Sequence, residues 1–305
     1  MDNLKLTQIE MEETFEFSNI IRRQPSFDSG AYRSLRNSNG SFKTPRKFVN
    51  RFDAVITKEN IFRTYGTVIN TSQSQNIIKT SLSTGEAEII QEADAYPIDA
   101  DTFGSYSSKA HKIGALVKLL DEFVFDSKFD IEKYLQNEFA QRFGRAEERY
   151  FINGTGNGQP LGILAKEADI TSSETGKLTY ADVVNLYFSV KDKYARKGVF
   201  VVNRRTAMAL RTMLDDNGQP IWNMNDNTIF SKPVLISEFM PDISSGSKPI
   251  FFGDLSYYWI MITQPLYISV LTELFAVEGA TGYAGHERLD GRLINDEAVA
   301  VLQVK

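Results

Sequence analysis

Apolar residues recur at helical spacing along residues 129–150. Phe129, Ile131, Tyr134, Leu135, Phe139, Phe143, Ala146 and Tyr150 share one face, interrupted only by Arg142. The pattern predicts a helix over 127–150, with Ser127 as its N-cap and Asp126 and Asp130 near the positive end of its dipole. At 1.5 Å per residue such a helix runs about 35 Å. That length suits a structural spine better than a compact enzyme.

Elsewhere the periodicity changes. A strand is predicted over 61–69. Two β-rich runs in 76–95, "NIIKTSL" and "EAEIIQEA", flank Ser83-Thr84-Gly85 and predict a protruding hairpin. Its two arms hold Ile77, Ile78, Leu82, Ile89 and Ile90, and cannot bury both faces alone. A helix over 180–195 is predicted, capped by Thr179 and stopped by Gly198, and another over 206–214. Strands are predicted over 199–202, 250–252, 257–263, 266–274 and 299–304. Tyr257-Tyr258-Trp259 lies in the third of these and predicts core or subunit packing. Helices and strands mix without regular βαβ alternation, so the fold class is α+β.

Charge changes the picture at the N-terminal end. Residues 1–20 carry five acids and one base, whereas 21–51 carry eight bases and one acid. The stretch 18–50 is rich in Ser, Asn, Arg and Gly. It predicts an extended arm with too little apolar surface to offset its ordering entropy, so its order is expected from neighbouring molecules. Residues 60–106 are acidic, with Glu86, Glu88 and Glu92 in the predicted hairpin. The whole chain has a net charge of −5, which argues against a protein that coats nucleic acid with its entire surface. The hydrophobic fraction of 42% supports a real core. The absence of cysteine excludes disulfides, thiolate nucleophiles and Cys-based metal sites. No apolar run is long enough to span a membrane, and no signal peptide is expected.

Residues 148–164 hold the densest glycine pattern. Gly154, Gly156, Gly158 and Gly162 surround Gln159 and Pro160, directly after the predicted spine. This predicts a shaped structural turn. A dinucleotide fingerprint requires glycine where Gln159 stands and a strand before the loop, and a phosphate loop requires a following Gly-Lys-Ser/Thr. Neither condition holds. His111, in a predicted strand, and His286, in a predicted loop, have no ligand partner at metal spacing. No nucleophile elbow occurs. Glu147–Glu148, Asp215–Asp216 and Asp121–Glu122 are expected on solvated faces and in turn caps. No catalytic, cofactor or metal set is nominated.

The run "EERYFINGTGNGQPLGIL" (147–164) resembles the segment after the spine helix in tailed-phage major capsid proteins of the Hong Kong 97 type. "KIGALVKLLDEFVFDSKFDIEKYL" (112–135), "FVVNRRTAMALRTMLDDNGQPIW" (200–222), "KPVLISEFMP" (232–241), "IFFGDLSYYWI" (250–260) and "HERLDGRLINDEAVAVLQV" (286–304) are similar to other segments of that family, in collinear order. The resemblance implies an N-terminal arm (1–59), an extended loop (60–106), a peripheral domain (107–153 with 266–296) and an axial domain (154–265 with 297–305). It implies homo-hexamers and pentamers in an icosahedral virion shell, assembled in the bacterial host cytoplasm. Portal and scaffolding proteins and non-specifically contacted double-stranded DNA are the implied partners, with no membrane. The extended loop is expected over an adjacent subunit. Its acids Glu86, Glu88 and Glu92 would then meet the arm bases Arg33, Arg36, Lys43, Arg46 and Lys47 of another chain. No long built-in helical scaffold is expected, and no cross-link through Lys79. An encapsulin-type compartment shares the implied fold and stands as the alternative. A cytosolic enzyme with a glycine-loop cofactor site is the more distant one.

Overall fold

The predicted spine forms, shifted towards its C-terminal end. In a computed structural model of the chain, residues 2–23, 30–36, 42–71, 77–82, 102–126, 128–215 and 217–305 are described. The N-terminal half contains α1 (Asp2–Ile21), α2 (Gly30–Leu35), β1 (Phe42–Lys43), α3 (Arg46–Glu59), α4 (Ile61–Tyr65), β2 (Thr67–Asn70), β3 (Ile77–Leu82), β4 (Thr102–Ser107), β5 (His111–Leu120), α5 (Asp121–Phe125) and the spine α6 (Ile131–Asn153). Then follow β6 (Ile170–Thr171), α7 (Tyr180–Ser189), α8 (Asp192–Ala195), β7 (Val199–Val202), α9 (Arg204–Arg211), β8 (Trp222–Asn223), β9 (Thr228–Ile229), β10 (Lys232–Ile236), β11 (Ile250–Gly253), β12 (Tyr258–Leu271), β13 (Ala280–Leu293) and β14 (Val299–Gln303).

The N-cap of α6 is Asp130, whose side chain accepts from the Lys133 amide. Ser127, the expected cap, lies outside the described residues. Arg142 breaks the apolar stripe without harm, because its exposed guanidinium reaches the Leu116 carbonyl and Glu138. The stripe packs on a sheet in the order β1-β12-β13-β5, with β2 pairing in parallel alongside β12. A second sheet runs β6-β14-β11-β7-β10-β9-β8. One core lies under α6 around Leu135, Phe139 and Phe143. Another lies under α7 and α9 around Leu186, Phe200 and Leu210. A third joins the two sheets through Phe62, Phe151, Tyr258, Val201 and Phe251.

Where it is described, the predicted extended arm is largely helical and packs on its own chain. Phe17, Ile20 and Ile21 of α1, Leu35 of α2, and Phe48, Phe52 and Ile56 of α3 are all buried in the core under α6. Composition averaged over 18–50 hid this. In α3 the apolar positions 48, 52, 55 and 56 form a helical stripe behind Pro45, amid surrounding bases and polar residues. The strand expected over 61–69 is a helix followed by a strand. Asn60 caps α4 by accepting from the Phe62 and Arg63 amides, and β2 starts only at Thr67.

Among the described residues, β3 of the expected hairpin pairs with β4 (Ile77↔Ser107, Ile78↔Tyr106, Leu82↔Thr102), which closes a ribbon with 102–107. Glu86, Glu88, Ile89, Ile90 and Glu92 lie outside the described residues.

The two strands expected over 257–263 and 266–274 are one strand, β12. Its register shifts around Thr263 and Pro265 let proline sit in a sheet that would otherwise need its N–H. His286 lies not in a loop but in β13, opposite Tyr267 and Gly114. The helix expected over 180–195 is two helices, α7 and α8, separated at Val190. Thr179 does cap α7, in a reciprocal capping box with Asp182.

The arm's attachment is testable. Ile21 is fully buried, and its carbonyl accepts from the Tyr283 hydroxyl at 2.7 Å. Ile21→Ala should therefore cost about 2–5 kcal/mol of stability in chemical denaturation. An arm that orders only on neighbours would show almost no loss in the isolated chain.

Candidate functional site

The glycine turn follows directly from the end of α6. The Gly154 amide donates to Tyr150 O at 2.7 Å, and Gly154 closes the helix in extended conformation. The chain then doubles back. Gly156 N donates to Pro160 O at 3.2 Å, and Gly162 N donates to Gly154 O at 2.9 Å. Gln159 Nε2 donates to Thr155 Oγ1 at 2.7 Å across the turn. Gly156 and Gly158 adopt φ of 76° and 69°, which only glycine takes up without strain. At Gly154 the need is steric: a Cβ would collide with the carbonyl oxygens of Pro160 and Tyr150. Leu161 N donates to Gly291 O and Leu161 O accepts from Tyr258 Oη, which ties the turn to β13 and β12. The turn is a brace, with the amides of Gly154, Gly156, Leu161 and Gly162 bonded to carbonyls of the protein itself.

Immediately before the turn, α6 carries the pair Glu147–Glu148. Both were expected to be solvated, and both are buried. Consecutive helical residues point about 100° apart, so the two carboxylates serve different layers. Glu147 accepts from Arg63 Nε at 2.9 Å, Arg63 Nη2 at 2.6 Å and Asn60 Nδ2 at 3.0 Å. Arg63 stands on α4, whose end leads into β2 and the ribbon. Glu148 accepts from Ser237 Oγ, just beyond β10, and from the Ile61 amide at 3.4 Å. Burial raises the Glu148 carboxyl above its ordinary range, and the Ser237 and Ile61 donors oppose it. Glu287 of β13 completes the cluster, its Oε1 lying 3.9 Å from Arg63 Nη2. Sequence reading missed Arg63, Asn60 and Glu287, because their partners on α6 are far away along the chain. The aromatic cluster of Phe62, Phe151 and Tyr258, with ring centroids 4.9–5.6 Å apart, packs beside this junction.

Arg33, Arg36, Lys43 and Lys47 lie exposed on α2, β1 and α3 or beside them, and Arg46 is the first residue of α3. Ile77, Ile78 and Leu82 occupy β3, which pairs only with β4 among the described residues. Arm and ribbon are thus not brought together within the described part of one chain. Among the described residues no group of His, Asp or Glu is arranged to hold a metal ion, and no helix is long and apolar enough to cross a membrane.

The brace predicts an order of damage. Gly154→Ala should cost more stability than Gly158→Ala, because the first forces backbone apart. The second adds only the positive-φ strain, about 1–3 kcal/mol. Thermal unfolding of the two variants would show it, and equal losses would contradict the collision at Gly154.

Residues 40–304 match the family model described as "Phage capsid family". The "Capsid polyprotein" of Pseudomonas phage PAJU2 is 26% identical over 189 residues, covering 56% of this chain. The match spans only 28% of that relative's length. Among solved structures, the capsid of an empty GTA particle is 25% identical with a TM-score of 0.69, covering 81% of this chain and 90% of that one. A Gordonia phage Cozz chain matches at 15% identity and a TM-score of 0.58, over 81% of this chain and 86% of that one. The spine, brace and twin sheets described above are thus those of an α+β Hong Kong 97-type capsid subunit, and the chain belongs to the phage capsid family.

Proposed function

We propose that this chain is the major subunit of an icosahedral phage head, tiling into hexamers and pentamers around double-stranded DNA. The observation that carries this is the match of nearly the whole chain, residues 40–304, to the capsid family. The β3–β4 ribbon supports it. It pairs with no other described strand, and a two-stranded ribbon is marginal alone, so it needs a surface to lie on. In the proposed assembly that surface belongs to an adjacent subunit.

The domain division follows the same proposal. The five-stranded sheet with α6 forms a peripheral domain and the seven-stranded sheet an axial domain. The boundary at 153/154 coincides with the end of α6, whereas that at 265/266 falls inside β12. Portal and scaffolding proteins are the proposed further partners, and assembly takes place in the host cytoplasm. Electron microscopy of the purified protein tests the proposal. Closed shells or hexamer–pentamer lattices support it, and dispersed monomers under all assembly conditions refute it. Shells that enclose protein cargo and never nucleic acid would instead favour a compartment.

Charge between subunits makes a second test. Residues Glu86, Glu88 and Glu92 belong to the segment between β3 and β4, and the exposed arm bases are Arg33, Arg36, Lys43 and Lys47. Each exposed pair contributes about 0.2–1 kcal/mol, which repeats in every subunit of a shell. Reversing the three acids to Lys should lower shell yield without unfolding the subunit, and reversing arm bases as well should partly restore it. Normal assembly of the triple variant at low salt would shift the contact to Ile77, Ile78, Leu82, Ile89 and Ile90.

A further inference from the structure

One guanidinium faces three carboxyls where α3, α4, α6 and β13 meet. Arg63 and Glu147 form a two-pronged ion pair, and Asn60 supplies Glu147 with a third donor. Asp53 of α3 approaches Arg63 Nη1 at 3.9 Å, but half of its side chain is open to water. Glu287 has no such outlet. It is 1% exposed, and its Oε1 has no hydrogen-bond partner among the described groups. β12 presents Ile262, Pro265 and Leu266 to this region, none of which titrates. Arg63 places its Nε and Nη2 donors on Glu147 and comes no nearer to Glu287 than 3.9 Å in any ion pair, so a charged Glu287 would be a second buried anion whose Oε1 has no hydrogen-bond donor. A neutral Glu287 reverses the contact: its hydroxyl becomes a donor to the Glu147 carboxylate.

We propose that Glu287 is held protonated in the folded chain and donates to Glu147, which makes the joint between the spine and the root of the ribbon a proton-dependent clasp. Burial is the main force that holds the Glu287 carboxyl well above the ordinary carboxylate range. Glu147 adds to it, and Arg63 opposes it. Glu287 also lines a cavity of about 300 Å³ with Asn50, Asp53, Asn70 and Thr71, the last two at the start of the ribbon segment. The proton thus sits where loosening of the root opens the joint to solvent.

The sign of the pH response follows from proton counting. The folded chain holds a proton on Glu287 that the unfolded chain has released. The stabilisation is therefore complete below the ordinary carboxylate pKa and is lost as pH rises through the raised folded value. A charged Glu287 leaves two carboxylates competing for Arg63, and α4 with β2 loosens from α6. Gln at 287 keeps a neutral donor at every pH.

Hydrogen exchange of the full-length chain tests this, read on the peptide covering 60–71 in the wild type and in Glu287→Gln between about pH 6 and pH 9. Comparison at the same pH cancels intrinsic exchange rates and the contribution of Glu148, which the variant leaves unchanged. The wild-type-to-variant ratio of exchange rates should increase with pH by up to about tenfold per unit. A ratio that does not change with pH overturns the proposal. Infrared spectroscopy of the wild type keeps the test open if the variant does not fold. A buried protonated-carboxyl C=O band should persist through the pH interval in which exchange at 60–71, corrected for its intrinsic rate, accelerates, and should disappear where that acceleration levels off. Absence of that band while exchange accelerates, or continued acceleration after the band is lost, overturns the proposal.

Discussion

Two adjacent carboxylates on the spine helix, Glu147 and Glu148, hold the subunit's layers in register. One grips Arg63 beside the five-stranded sheet, and the other accepts from Ser237 beside the seven-stranded sheet. Both are buried near the end of α6, about two turns before the glycine brace. The helix cannot rotate or slide by a residue without moving a charge away from its donors, which in a dry interior is costly. An apolar stripe tolerates a small slide far better, so the carboxylates supply positional definition that Phe139 and Phe143 do not. The cohesion itself comes from the apolar cores and the aromatic group of Phe62, Phe151 and Tyr258.

Arg63 sits four residues before β2, and β2 leads to the ribbon. A load on the ribbon from an adjacent molecule would therefore pass through α4 to the spine, and through Glu148 and Ser237 to the second sheet. Asn153 reinforces that path by donating to the Phe239 carbonyl at 2.8 Å. The spine is thus coupled to both sheets at its C-terminal end, while its N-terminal end rests on the helical arm.

Local signals were legible in the sequence, and long-range pairings were not. The stripe from Ile131 to Tyr150 predicted α6, Thr179 predicted the start of α7, and the glycine spacing predicted a shaped turn. Collinear motifs made the capsid fold recognisable. Glu147 and Glu148 were misread because burial of a charge is decided by its partner, and Arg63 and Ser237 lie 84 and 89 residues away. β13 was missed because Gly282, Gly285 and Gly291 and its charged residues break the β-pattern. Those glycines are there because Phe275, Phe139 and Phe151 pack against the bare backbone. The pairing of β3 with β4 was not legible, because it is set by the far end of the loop and no local turn signal announces it. The arm's helices were hidden by averaging, since the stripe of α3 is only four apolar residues among many bases.

Glu147 and Arg63 act as one unit fixing the spine against the root of the ribbon. A double-mutant cycle with Arg63→Met and Glu147→Leu measures it directly by equilibrium denaturation. Each single change strands a buried charge and should cost about 3–5 kcal/mol. The double variant should recover most of that loss, because neither charge is left behind. Single losses that simply add in the double variant would show that the two residues do not act together, and would contradict the account.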